Sequence, residues 1–187
     1  MNGVDQRRRR ILAGLTATTL TALTMTPALS APQPPAEFGH SPLRLQGSGV
    51  MRFFGLRVYE ARLWVKSTLD ANHYASSEFA LELVYDRRLE GKAIAERSVA
   101  EMRRIGEFDE AKAKAWLDLM SRAFPDVAAG DRLVGINDGL GGVRFFHNAR
   151  LTVETVDAEY ARLFFGIWLS PKTSAPALRE AILGLTS

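Results

Sequence analysis

GVMRFFGLRVYEARLWV (residues 49–65) decides how the chain is read. Three arginines, a tyrosine and a glutamate interrupt a run that is otherwise apolar. Strand alternation places Met51, Phe53, Arg57, Tyr59, Ala61 and Leu63 on one face of a long β segment bent at Gly55. Val50, Arg52, Phe54, Leu56, Val58 and Trp64 fall on the other, with Glu60 and Arg62. Both faces are mostly apolar, so both should be covered. An arginine in such a place must find an anion or reach back to water. Arg57 and Tyr59, two residues apart, would set a guanidinium fork beside a phenolic hydroxyl, a pair suited to a carboxylate or an enolate-like oxygen. The plainer alternative is an edge strand whose arginines pair with Glu60, Glu82 or Asp86.

Upstream, LRLQGSG (43–49) reads as a strand ending in Gly47 and Gly49. Before it, APQPPAEFGHSP (31–42) has the Pro-rich composition of a linker. Residues 1–30 carry Arg7 to Arg10, a weakly apolar Thr-rich segment and Ala28-Leu29-Ser30, the layout of an export signal with Ala31 as the mature start. The paired arginines fit a twin-arginine leader and the general secretory route alike. The expected location is periplasmic, and the expected division is a signal peptide (1–30), a linker (31–42) and one domain (43–187). Leaving out the first thirty residues removes four of the 24 Lys and Arg and one of the 21 Asp and Glu. The remainder is electrically balanced, without the basic excess of a nucleic-acid binder. No stretch approaches the ~20 apolar residues of a membrane-spanning helix.

Downstream, EFALELVYD (78–86) is a strand with Phe79, Leu81, Leu83 and Tyr85 on one side. Two amphipathic helices follow. One carries Ile94, Val99, Met102 and Ile105. The other carries Ala113, Trp116, Leu117, Met120 and Phe124, between an Asp109 cap and Pro125. DRLVGIND (131–138) and VRFFHNARLTVETV (143–156) are strands joined by DGLGG (138–142), a hairpin turn whose spacing matches no phosphate loop. Two helices close the chain, one burying Tyr160, Ala161, Phe164, Phe165 and Trp168. The other runs from Ser174 and Pro176 to a stop at Gly184. This order predicts an α+β domain with a mostly antiparallel sheet backed by helices.

Thiol chemistry is excluded, since the chain has no cysteine. His40, His73 and His147 stand in no metal-binding spacing, so no metal or other cofactor is assigned, and His147 reads as a half-buried strand residue. No GxSxG elbow occurs. Glu96 and Glu101, five apart on a helix, read as solvated charges.

GSGVMRFFGLRVYEARLWV, IAERSVAEMRRIG, FPDVAAGDRLVGI and FFGIWLSPKTSAPALREAILG, in that order from about Leu43 to Gly184, resemble the exported bacterial branch of the chalcone isomerase-like family. The resemblance implies an open-faced sandwich with a ligand cleft between sheet and helices. Members of the family cyclise chalcones, bind fatty acids without known catalysis, or are linked to haem. Enzymes and fatty-acid binders set an arginine two residues after a Gly-x-Gly. Here that position is Met51, with Arg52 one step on. Tyr59 takes the place of a catalytic threonine, as in the non-catalytic relatives, and IAERSVAEMRR lacks the tyrosine and asparagine that assist cyclisation. The expected function is therefore binding of a small apolar or amphiphilic ligand with an acidic head, such as a fatty acid. Met51, Arg52, Arg57 and Tyr59 are the candidate ligand-binding residues. The alternatives are an intramolecular lyase or isomerase, whose catalytic residues the sequence does not name, and an envelope structural protein or haem binder.

Overall fold

The computed structural model describes residues 32–39 and 42–185. The leader-like segment and His40 lie outside them. Six strands form one sheet in the order of the chain, β1 (Arg44–Phe53), β2 (Leu56–Val65), β3 (Glu78–Tyr85), β4 (Arg132–Asp138), β5 (Gly142–His147) and β6 (Arg150–Val156). Every neighbouring pair is antiparallel. The helices are α1 (Gly91–Ile105), α2 (Glu110–Ala123), α3 (Ala158–Leu169) and α4 (Pro176–Leu183). The α+β architecture expected from the element order is present.

Two strand boundaries differ from the sequence reading, for one physical reason. The long segment at 50–65 is a hairpin: β1 and β2 are joined by Phe54 and Gly55, both at positive φ (48° and 79°). The run at 143–156 likewise turns at Asn148 and Ala149 (φ 46° and 69°). Two-residue loops with both residues at positive φ follow the natural twist of paired strands. They interrupt the hydrophobic pattern so briefly that each run reads as a single strand. Gly47 and Gly49 do not end a strand. They lie inside β1 beneath α4, where a Cβ on Gly47 would come within 2.2 Å of the Ala181 carbonyl oxygen. Those two glycines let a helix rest directly on the sheet.

The core lies between the sheet and the helices. Leu63, Phe79, Leu81, Phe145, Phe165 and Leu169 are among its buried side chains. Asp109 caps α2 by accepting the Lys112 N–H at 2.8 Å, and Gly184 ends α4 in the left-handed conformation. The opposite face holds a second cluster of Trp64, Ala80, Val134, Ile136 and Phe146, packed with Phe38. Phe38 comes from a 3-10 turn at Ala36–Phe38, inside the segment expected to be an unstructured linker. The ring is buried because this face is as apolar as the sequence required, and something must cover it.

Under that cover lies a charged network. The Glu82 carboxylate, 1% exposed, accepts from Trp64 Nε1 at 2.9 Å and from Arg132 at 2.9 Å. Arg132 also donates to Glu37 at 2.5 Å, while Arg62 grips Glu60 with two hydrogen bonds and stands 3.7 Å from Glu82. Arg62 therefore belongs to the face away from the helices.

Candidate functional site

Between the sheet and α1, α3 and α4 lies a cavity of about 340 Å³. Its sheet side carries Met51, Tyr59, Leu83 and Tyr85. Its helix side carries Ile94 from α1, Phe164 and Trp168 from α3, and Leu178 from α4. The aromatic wall is self-supporting. Phe164 meets Phe124, Phe145, Tyr160, Phe165 and Trp168 at ring-centroid separations from 5.0 to 6.0 Å. Such interlocked rings hold a hollow open because closing it would force rotamers off their wells.

Polar groups in the lining are few, and the principal ones come from β2, α1 and the segment after β3. Tyr59 points inward from β2 and accepts a hydrogen bond from Trp168 Nε1 at 3.0 Å. Its own hydroxyl proton is then available to a ligand oxygen. On α1, the Glu101 carboxylate is 8% exposed, 2.6 Å from Arg97 and 3.4 Å from Arg104. Its Oε2 has no hydrogen-bond partner among the described residues. Arg97 itself is largely exposed, and with Arg87 it supplies the guanidinium groups of the lining. Cations thus stand toward solvent, a phenol and a carboxylate deeper in.

Burial pushes the Tyr59 phenol up to about 12, with the Glu101 carboxylate adding to the rise while the Trp168 bond and Arg97 oppose it. Tyr85 and Tyr160 shift in the same direction, again chiefly through burial. At neutral pH these groups are hydrogen-bond donors, not bases. A consequence for stability follows. An unfolded tyrosine releases its proton near its ordinary value of 10.0, while the folded chain retains it to about 12 at Tyr59. Stability that is intact below pH 10 is therefore lost as pH rises toward 12. Urea midpoints are expected to fall between about pH 9 and about pH 11, and Tyr59→Phe is expected to lessen that fall.

The four candidate residues separate. Met51 and Tyr59 line the cavity, whereas Arg52 and Arg57 are exposed and lie outside the lining. The register gives the reason. Met51 pairs with Tyr59, but Arg52 pairs with Arg57, so Val58 is an extra residue in β2. A bulge of one residue breaks strand parity, and Arg57 shares a face with Arg52 instead of Tyr59. Arg57 bonds Asp86 at 3.1 Å, one of the pairings that the edge-strand alternative named. Arg52 bonds the Gly55 carbonyl at 3.1 Å.

Glu101, read from the sequence as a solvated charge, is instead buried, and Arg97 had not been singled out. The signal was present: Ile94, Ser98, Glu101, Met102 and Ile105 stand at i, i+4, i+7, i+8 and i+11, so Glu101 sits within the apolar stripe of α1. Glu96 is exposed, as expected. His147 is half-buried in β5, 3.7 Å from Asp131.

Comparison with known proteins agrees with this geometry. The profile of a family described as chalcone isomerase-like matches residues 29–184. An uncharacterized protein of Haemophilus influenzae is 29% identical over 106 residues, which span 57% of this chain and 52% of that protein. The crystal structure of an Arabidopsis thaliana fatty-acid binding protein superposes with a TM-score of 0.59 at 14% identity, covering 80% of this chain and 90% of that one. Likeness at that identity concerns the fold. With its antiparallel sheet, helical layer and intervening cavity, the chain belongs to the chalcone isomerase-like family.

Proposed function

We propose that the protein binds, without transforming it, a small amphiphile with an acidic head such as a fatty acid. The observation that carries this reading is the apolar cavity of about 340 Å³ whose outer cations are Arg97 and Arg87. That volume lies within the usual range for small-molecule sites, which bury most of a ligand against apolar walls and orient it with a few polar groups. The tail would occupy the hollow between Phe164, Leu83 and Ile94. The head would lie toward Arg97 and away from Glu101, whose charge repels an acid, and the Tyr59 hydroxyl is placed to donate to it. The fatty-acid binding relative in the same fold is consistent with this assignment. Tyr59, kept protonated by burial, is poorly suited to the proton-abstracting role that an isomerase would ask of it.

We place the protein in the periplasm on the leader-like layout of residues 1–30. Among the described residues, no helix is long and apolar enough to cross a membrane.

One set of measurements tests both parts. Protein from the periplasmic fraction of its native host is expected to show an intact mass that begins at Ala31 and to release a fatty acid on extraction. Palmitate is expected to raise the melting temperature of the purified protein. Ile94→Trp, which fills the hollow, is expected to abolish that rise. Arg97→Gln should weaken palmitate binding about tenfold, the scale of one charge-assisted hydrogen bond. Arg97→Gln combined with Glu101→Gln should recover part of it, because the carboxylate charge that repels the acidic head is gone. An extract without lipid, and a melting temperature indifferent to palmitate, would remove the reading.

A further inference from the structure

We propose that the β1–β2 hairpin tip is a docking surface for an anionic phospholipid bilayer, through which the cavity exchanges its ligand. The proposal rests on the amphiphile-binding reading above. At the tip, Phe53 and Leu56 are each 57% exposed and Phe54 is 90% exposed. Isolated apolar residues on a surface are ordinary, but three adjacent ones on one loop form a projecting patch.

The tip is costly to the fold on three counts. Phe54 occupies a positive-φ position (48°) that favours Asn, Asp or Gly, and a bulky ring there is strained. Its ring meets Phe53 edge-on at 4.5 Å yet remains in water. Arg52 and Arg57 are direct cross-strand partners, a like-charge pairing that works against the hairpin. Asp86 offsets the charge of Arg57, but the rings of Phe53 and Phe54 are left in water, and local rules broken together in this way mark a surface shaped for something outside the fold.

Charge names the partner. Arg87 and Arg88 follow the end of β3 beside the hairpin, where the Asp86 N–H donates to the Val58 carbonyl at 2.9 Å. Arg57 is paired with Asp86, and Arg88 lies 3.7 Å from Asp126. Arg52 and Arg87 are in no ion pair among the described residues. Rings flanked by arginines suit the boundary between acyl chains and anionic headgroups. Phe53, Val58 and Arg87 also line the cavity, so the exposed tip and the hollow form one continuous surface. A ligand could pass from bilayer to cavity along Phe53 without crossing bulk water.

The test is co-sedimentation of the purified chain with vesicles of phosphatidylcholine alone or mixed equally with phosphatidylglycerol. Partitioning is expected with the anionic vesicles only, and to weaken as salt rises. Phe54→Asn suits the turn, so its melting temperature should match or exceed the parent's. It should reduce partitioning about tenfold, the scale of one ring withdrawn from an apolar phase. Arg52→Ser should reduce it about fivefold. All these proteins share the same N-terminus, so the differences read the tip. Phe54→Asn sedimenting like its parent would overturn the proposal. So would a Phe54-dependent dimer that ignores vesicles, which would assign the tip to a second copy. The two readings fail separately. A palmitate-induced rise in melting temperature, present in parent and Phe54→Asn alike, without sedimentation, removes the docking surface and spares the ligand. Phe54-dependent sedimentation without any palmitate response does the reverse.

Discussion

Arg132→Met is expected to lower stability by about 3–5 kcal/mol, the cost of removing one partner from a buried charge cluster. The guanidinium is shared between two carboxylates that are almost wholly out of water, Glu82 and Glu37. Without it, Glu82 keeps Trp64 Nε1 and a distant Arg62, and Glu37 keeps no ion-pair partner among the described residues. Glu37 can escape by detaching its 3-10 turn from the sheet. That route limits the cost and exposes Phe38 and Trp64 together. Glu82 sits in the middle of β3 and cannot escape. Urea denaturation measures the loss, and amide exchange at residues 36–38 should accelerate more than elsewhere. Adding Glu82→Gln and Glu37→Gln to Arg132→Met should recover about half or more of the loss, since neutral amides in the same places leave no uncompensated charge. A triple variant no more stable than the single one would show that the guanidinium acts through packing instead.

The second large effect is expected at Gly47→Ala. The added Cβ would stand 2.2 Å from one α4 backbone carbonyl oxygen and 2.7 Å from the next. Backbone cannot rotate aside, so α4 must move off β1. The shift would also pull on the hydrogen bond from Gln46 Nε2 to the Leu183 carbonyl, now 3.2 Å. Overpacking of this kind should cost about 3 kcal/mol. At Gly49 the added atom comes closest to Leu178 Cδ1 at 2.8 Å and Ala181 Cβ at 2.9 Å. The Leu178 methyl can swing away, and the Ala181 Cβ, which moves only with α4, demands a smaller displacement than the carbonyl oxygens above Gly47, so Gly49→Ala should cost less, about 1 kcal/mol. Melting curves of the two variants decide the matter. Equal losses would mean that close approach of the helix backbone is not what the first glycine serves. Because Leu178 lines the cavity, Gly47→Ala should also weaken palmitate binding, the larger of the two changes again giving the larger effect.

How much of this was legible beforehand depended on the length of each signal. Helical stripes persist for three or four turns, so α1 to α4 could be read from Met102, Trp116, Phe164 and their neighbours. The DGLGG turn announced itself through glycine. Phe54-Gly55 and Asn148-Ala149 did not, since two residues within a run of fourteen or more hardly disturb its hydrophobic average. Gly55 and Asn148 were the available cues, both residue types that tolerate positive φ. The site was legible in part for a related reason. Met51 and Tyr59 lie on the parity that alternation assigns. The bulge at Val58 depends on pairing between strands, and no single-strand pattern encodes it. Glu101 was visible as a position on a stripe, but a carboxylate there invites a reading as surface charge.

The hydrogen bond from Gln46 to Leu183 of α4 joins residues 137 apart, while each strand of the sheet pairs with the one made just before it. During synthesis, then, the sheet can assemble piece by piece as it leaves the ribosome, whereas the cavity gains its Leu178 wall only when α4, last of the described elements, has emerged. A nascent chain stalled before Pro176 would carry a nearly complete sheet with an unroofed first strand. The competence to hold a ligand should accordingly appear late and abruptly in the life of each molecule, after its architecture is already in place.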